Sequence, residues 1–464
     1  MKSKIRTEAA ALWQIAWPVL VGQLATVGMS VSDVAMTGHY NAQDLAAVAI
    51  GASLWAIIMV TVTGVMIAVN AVVAHEVGAA NFKRVPHMMR QAMWMSLGIG
   101  LIACAILNCG TALFDYLYIE AHVQAKATDF VRAISLGMPA FAMYRALYGY
   151  TTSLNETKPV MMIALGGLFF NIFANWVLIY GKWGVPEMGS TGCALATAAG
   201  LWLMLFAMLW WIKSSPKYVQ TYPFTHWEAP NWAEIGSTLR IGVPIGITYF
   251  AEVSAFCAVG LLVARFGVVQ VSANQIALNF SSLVFMVPMS IGIALTTRVG
   301  QSLGEGDAEK ARFIAWVGVA LSLAFAVLSA IFIALFRFQV AAAYTSDVAV
   351  QDVAAVLLLL AAIFQLPDAI QVTTSCAIRG YKVTRPPMII QLMAFYGFAL
   401  PIGWALGLAP DWLPWKPDQA MAAAGFWIAL VLGLTIAAIL LSAYLHKLSV
   451  SKIGYKANSG KIAG

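Results

Sequence analysis

The chain has 464 residues, of which 61% are hydrophobic and only 10% charged. Soluble globular proteins carry roughly 25% charged residues, so a soluble fold of this length is excluded and lipid must form part of the solvent. The net charge of +7 does not indicate a nucleic-acid partner, because the basic residues sit singly or in small groups in short loops and form no stripe interleaved with aromatics.

A basic N-terminus, MKSKIRTEAA, leads into a long apolar stretch that contains Asp33 and no A-x-A cleavage site. This predicts a retained first helix, not a signal peptide. A bilayer-spanning helix needs about 20 mostly apolar residues. Such runs fall at 10–36, 45–72, 90–115, 128–152, 158–181, 190–212, 236–264, 272–298, 312–336, 348–378, 386–408 and 420–445. The reading is therefore an all-α membrane protein with twelve transmembrane helices. Its longest polar connection, 213–235, divides an N-terminal six-helix lobe (1–212) from a C-terminal six-helix lobe (236–464) that ends in a short cytoplasmic tail.

Cationic residues orient the chain. Most lysines and arginines flank the loops on the side of the two termini. Lys126, Arg132, Lys182, Arg265, Arg337 and Lys416 fall on the opposite side, and Arg145 lies inside the fourth span. Positive charge accumulates on cytoplasmic loops, so both termini are expected in the cytoplasm of a bacterial inner membrane. Trp183, Trp412 and Trp415 read as anchors at the outer interface.

The two halves resemble each other. Pro18 in IAWPVLVG pairs with Pro244 in IGVPIGIT, Gly78 with Gly304, and TKP at 157–159 with TRP at 384–386, in one order and at a nearly constant offset. Six spans per repeat keep both halves in the same orientation. Two pseudo-symmetric six-helix bundles are expected, related by an axis along the membrane normal, with the substrate path between them.

Three carboxylates fall inside spans: Asp33, Glu252 and Asp368. Each costs about 2.5–3.5 kcal/mol to insert, so each needs an ion, a proton or a polar partner. Asp33 has Asn171 and Asn175 (one turn apart) and Thr197 as candidate neighbours. The alternative is a structural carboxylate satisfied by hydroxyls or by Arg145. Glu252 follows Thr248 by one helical turn, and Asp368 follows Pro367, whose missing N–H frees a backbone carbonyl. Span eight adds Asn274, Gln275 and Asn279, which helix–helix hydrogen bonding explains as well as function does. Aromatics at 12% and 21 methionines suit a cavity for flat organic cations, although most must face lipid or pack.

Enzyme and ATPase readings lack their residues. The six histidines (His39, His75, His87, His122, His226 and His446) lie in loops or at helix ends, no phosphate-binding P-loop occurs, and the five cysteines have no metal-ligand spacing and read as packing residues.

Four segments carry a family resemblance: WPVLVGQ (17–23) with Asp33, NIFANWVLIYGKWGVPEMGSTGCALATA (171–198), NQIALNFSSLVFMVPMSIG (274–292) and DAIQVTTSCAIRGYK (368–382). With them the chain resembles the multidrug and toxic compound extrusion (MATE) transporters, in their NorM-like bacterial branch. The resemblance implies a secondary antiporter that exports drug-like cations in exchange for Na+ or H+, works as a monomer in lipid and needs no cofactor. It also implies ion coupling at Asp33, Glu252 and Asp368, with a Na+ site at the latter two. Two positions depart from some relatives: Asn175 replaces an acid, and Phe364 replaces a tyrosine one turn before Asp368. A lipid-linked precursor flippase of the same wider fold group is the competing expectation. Its pyrophosphate substrate would call for several arginines or lysines in a cavity, and only Arg145 sits inside a predicted span.

Overall fold

A computed structural model describes residues 2–116, 120–409 and 420–462. Trp412, Trp415 and Lys416 lie outside the described residues. The elements are helices α1 (Lys2–Tyr40), α2 (Ala42–Gly78), α3 (Arg84–Gly110), α4 (Ala121–Ser135), α5 (Met138–Ser153), α6 (Lys158–Ile179), α7 (Gly189–Ser214), α8 (Trp232–Val263), α9 (Val268–Gly304), α10 (Ala308–Tyr344), α11 (Val348–Gly380), α12 (Arg385–Leu392), α13 (Leu400–Leu408) and α14 (Ala422–Ile462). Among the described residues, eleven helical stretches are each long and apolar enough to cross a membrane. The twelfth span is the pair α4 and α5.

That span breaks for a local reason. Pro139 in the first turn of α5 has no N–H to continue the ladder from α4. Side chains from neighbouring helices bond at the break instead: Trp202 Nε1 donates to the Leu136 carbonyl at 3.0 Å and Asn108 Nδ2 to the Ser135 hydroxyl at 2.9 Å. Elsewhere polar caps start the helices. Asp307 accepts from Lys310 N at 2.9 Å, and Asp347 from Ala349 N at 3.0 Å. Between α12 and α13 the chain runs through a π turn, Met393–Ala399.

The helices form two compact units. One comprises residues 17–250, the other residues 1–16 with 251–464. The division expected at 213–235 is thus displaced into α1 and α8. Two packing facts explain the shift. Leu12, Ile15 and Ala16 are buried in a core with Ile291, Leu295, Ile314 and Leu441, and Glu8 pairs with Arg298 at 2.6 Å. At the other junction, α8 crosses α2 nearly backbone to backbone: a Cβ on Gly242 would stand 2.5 Å from the Val65 carbonyl oxygen, and one on Gly64 2.8 Å from Gly246 Cα. Small residues permit this close approach.

The connection before α8 is also part of the first unit. Glu228 receives Arg90, His87 and His226, while Arg90 Nη1 donates to the Pro223 carbonyl at 2.8 Å and Trp94 Nε1 to the Glu228 carbonyl at 2.9 Å. The Arg90 guanidinium holds the Glu228 carboxyl down at about 2, against partial desolvation. Gln91 Oε1 accepts from Asn231 N at 2.7 Å, tying the start of α8 to α3.

Candidate functional site

In the unit of residues 17–250, Asp33 lies near the C-terminal end of α1. Small residues let α6 approach it: Gly22 faces Val160 and Ala164, and a Cβ on Gly28 would come 3.2 Å from Leu168. Gly192 does the same for α7, where a Cβ would come 2.6 Å from the Leu178 carbonyl oxygen. Asn171 and Asn175 share one face of α6, and that face meets Asp33. Asn171 Nδ2 donates to Asp33 Oδ1 at 3.1 Å, Asn175 Nδ2 to the same oxygen at 2.6 Å, and Thr197 Oγ1 to Asp33 Oδ2 at 3.0 Å. Asn171 Nδ2 also donates to Thr197 Oγ1 at 3.2 Å. All four polar residues singled out in the sequence therefore form one network.

A fifth member was read from the sequence only as packing. Cys193 is fully buried one turn before Thr197, and its thiol hydrogen-bonds to Asp33. Arg145 is not a partner of this carboxylate in the structure. Its guanidinium lies 4.3 Å from the centre of the Tyr148 ring.

The other unit holds Glu252 on α8 and Asp368 on α11. Asp368 is 2% exposed, Glu252 is half-buried, and the two carboxyl groups interact electrostatically. Helix α11 continues through Pro367 without ending. Phe364, one turn before Asp368, is buried in an aromatic layer. Its ring meets Trp427 edge-on at 5.5 Å and Phe256 at 6.1 Å, and Phe256 meets Phe395 at 6.1 Å. The phenyl ring thus fills a packed apolar position beside the acid. The π turn sets Phe395 in this layer and places the Tyr396 hydroxyl 2.5 Å from Ser254 Oγ, a contact that no sequence signal announced.

Other candidates fall elsewhere. Thr248 Oγ1 donates within its own helix to the Pro244 carbonyl at 2.9 Å, and Thr248 belongs to the first compact unit. Asn274 is buried and accepts from Trp427 Nε1 at 3.0 Å, a packing contact between α9 and α14. Gln275 and Asn279 are exposed and bond weakly to each other at 3.5 Å.

The charge around Glu252 differs from the sequence expectation. Arg379, placed among loop cations by its position near the end of span ten, is 5% exposed within α11 and interacts electrostatically with Glu252. Among the described residues, no group of three or more His, Cys, Asp or Glu side chains could hold a metal ion. A cation at the Glu252–Asp368 pair would take its remaining ligands from neutral oxygens, as alkali and other hard cations do.

The MatE family model matches this chain twice, over residues 18–177 and 244–405. The two matches begin at Pro18 and Pro244, the prolines that the internal repeat pairs. The multidrug resistance protein PmpM of Pseudomonas aeruginosa is 41% identical over 94% of this chain and 91% of its own length. The probable multidrug resistance protein NorM of Acinetobacter baylyi is 38% identical over 95% and 96%. Among solved structures, the eukaryotic MATE transporter AtDTX14 aligns with a TM-score of 0.85 at 19% identity, covering 97% of this chain and 98% of its own. An outward-facing multidrug resistance MATE family transporter aligns with a TM-score of 0.86 at 17% identity, covering 96% and 97%. At these identities the structural likeness speaks for the fold.

Proposed function

The chain belongs to the MatE family, and we propose that it exports drug-like organic cations in exchange for Na+ or H+ bound at Glu252 and Asp368. It is a multi-span multidrug efflux transporter of bacterial type. The observation that carries the coupling reading is the pair of interacting carboxyl groups in one unit, with Asp368 almost wholly buried.

Two negative charges that close in a poorly hydrated interior repel each other. A bound sodium ion, or a shared proton, cancels that repulsion. The ion can bias the transporter only through a difference in its affinity for two conformations. Loading the acid pair stabilises one arrangement of the helices, and unloading it releases the other. The drug binds better to the second, so dissipation of the ion gradient moves drug outward.

The working form is a monomer in the inner membrane, with both termini in the cytoplasm. Reporter fusions at residue 464 and in the 182–189 loop should give opposite sidedness, and equal signals would overturn this orientation. The coupling ion is identified by efflux of a fluorescent organic cation from proteoliposomes, with a sodium or a proton gradient imposed separately. Acceleration by one gradient supports antiport, and indifference to both would refute it.

A further inference from the structure

The fourth span carries a charge that the coupling reading leaves unused. Arg145 lies in α5, which ends at Ser153, about 12 Å of helix further on. Side chains on a helix lean toward its N-terminus, so Arg145 leans away from that end and deeper into the span. The Tyr148 ring follows one turn later, its centre 4.3 Å from the guanidinium carbon, and stands between the charge and Ser153. Arg145 is thus held inside the span and does not snorkel to its end.

No carboxylate of the protein compensates it. The other packed cations of this unit are paired, Arg90 with Glu228 and Lys126 with Asp44. Among the described residues Arg145 has no such pair: the guanidinium meets the face of Tyr148, and its buried Nε–H has no hydrogen-bond partner. An ionised group inside a span is costly and ordinarily faces a partner or a water-filled interior. Arg145 is half-buried, so an approach to it stays open. Aromatic rings flank it. Phe141, one turn earlier on the same face, meets the Trp55 ring of α2 at 6.4 Å, and Tyr148 stands on the other side. The frame behind them is tight: a Cβ on Gly149 would come 3.0 Å from the Asn70 nitrogen of α2.

We propose that Arg145 is a carboxylate-binding subsite of the drug path, flanked by Phe141 and Tyr148, so that the substrates include aromatic zwitterions as well as cations. This rests on the export reading of the chain, not on which ion drives it. A guanidinium stays charged in a protein and offers a planar fork that matches two carboxylate oxygens. Contact through the face of a ring supports the cation without using up that fork. A substrate carboxylate supplies the missing counter-charge, while a substrate that is only positive is repelled by the same group. The subsite therefore discriminates between the two.

Two xanthene dyes with one ring system separate these cases: a free acid, which is a zwitterion, and its methyl ester, which is a cation. Binding to purified protein is read by fluorescence polarisation, and transport by efflux from proteoliposomes. The parent should bind the acid at least as tightly as the ester. Arg145→Gln and Arg145→Met should each weaken the acid about tenfold and leave the ester unchanged or slightly tighter. Arg145→Lys keeps the charge but loses the fork, and should fall between them and the parent. Tyr148→Phe should match the parent, whereas Tyr148→Leu should weaken the acid several-fold. Retained ester binding shows that a variant is folded. Equal loss of both dyes in the two neutral arginine variants, or loss of neither, overturns the inference. Variants that treat both dyes alike but lose a dependence of efflux on phosphatidylglycerol in the vesicles would assign Arg145 to a lipid phosphate, which overturns it as well. Efflux tests the underlying reading separately: if the acid–ester split appears in binding while the parent moves neither dye outward, the export reading falls and the carboxylate site stands.

Discussion

The two units treat their intramembrane acids in opposite ways. Asp33 is one carboxylate in a cage of donors: two asparagine amides, a threonine hydroxyl and a thiol all point their hydrogens at it. Each donor favours the ionised carboxylate, against the cost of burying it. Glu252 and Asp368 are two acids that interact electrostatically, with amide and hydroxyl atoms along α11 that lack partners and a buried arginine further along that helix. A carboxylate ringed by donors ties its helices together, whereas two interacting acids gain most from a bound cation or a shared proton. The proposed function places coupling in the second unit, while Asp33 brings α1, α6 and α7 together at one carboxylate.

The largest expected effect follows from removing the second unit's charge. Glu252→Gln with Asp368→Asn should abolish uphill drug transport while drug binding to purified protein stays within about threefold of the parent. Loss of both together would mean that the acids build the fold or the drug site instead. Asn175→Asp tests the comparison from the other side, because it places a second acid against Asp33. The cage then becomes an acid pair, and we expect a new cation dependence of thermal stability, with the variant several degrees less stable at low salt than at high sodium. A stability curve that ignores the cation would show that paired acids alone do not make a site.

Asp33→Asn should reduce efflux roughly tenfold without preventing membrane insertion, since losing an intramembrane charge relieves an insertion cost. Its new amide group would point donors at donors. Parental efflux in this variant would make the cage dispensable. The smallest effect belongs to the clamp outside the spans. Glu228→Gln should leave efflux within about twofold and raise amide hydrogen exchange in residues 215–231. Because the Glu228 carboxyl is lowered from 4.5 to about 2, its contribution is fully present above pH 4.5 and is lost as pH falls through 2. Exchange in the parent protein should rise only at the acid end of that window, and a rise between pH 8 and 6 would contradict the assignment.

Much of this was legible in the sequence for physical reasons. Long apolar runs and asymmetric cations reveal spans, because the bilayer imposes a length and a polarity on each helix. Asn171 and Asn175 were readable beside Asp33 because an amide pair one turn apart is conspicuous in an apolar helix. The break at Met138–Pro139 was written in a proline but hidden within a continuous apolar run. Arg379 was misplaced because a cation near the end of an apolar stretch reads as a flank, and only packing shows that it is buried. Cys193 looked like any small apolar residue, since its role depends on which helix faces it. Gln275 and Asn279 carry the same chemistry as the caging asparagines yet are exposed, and composition does not say which side of α9 meets a neighbour. The unit boundary was least readable of all: it rests on the burial of Leu12, Ile15 and Ala16 and on Gly64, Gly242 and Gly246, whose effect exists only where helices pack.

The most direct test of this division of labour is the ratio of drug efflux with an imposed cation gradient to efflux without one, measured side by side in the parent, Asp33→Asn and the Glu252→Gln/Asp368→Asn double variant. The account predicts that the ratio survives in Asp33→Asn, although both rates are lower, and falls to about one in the double variant. A ratio that falls to one in Asp33→Asn and persists in the double variant would contradict it.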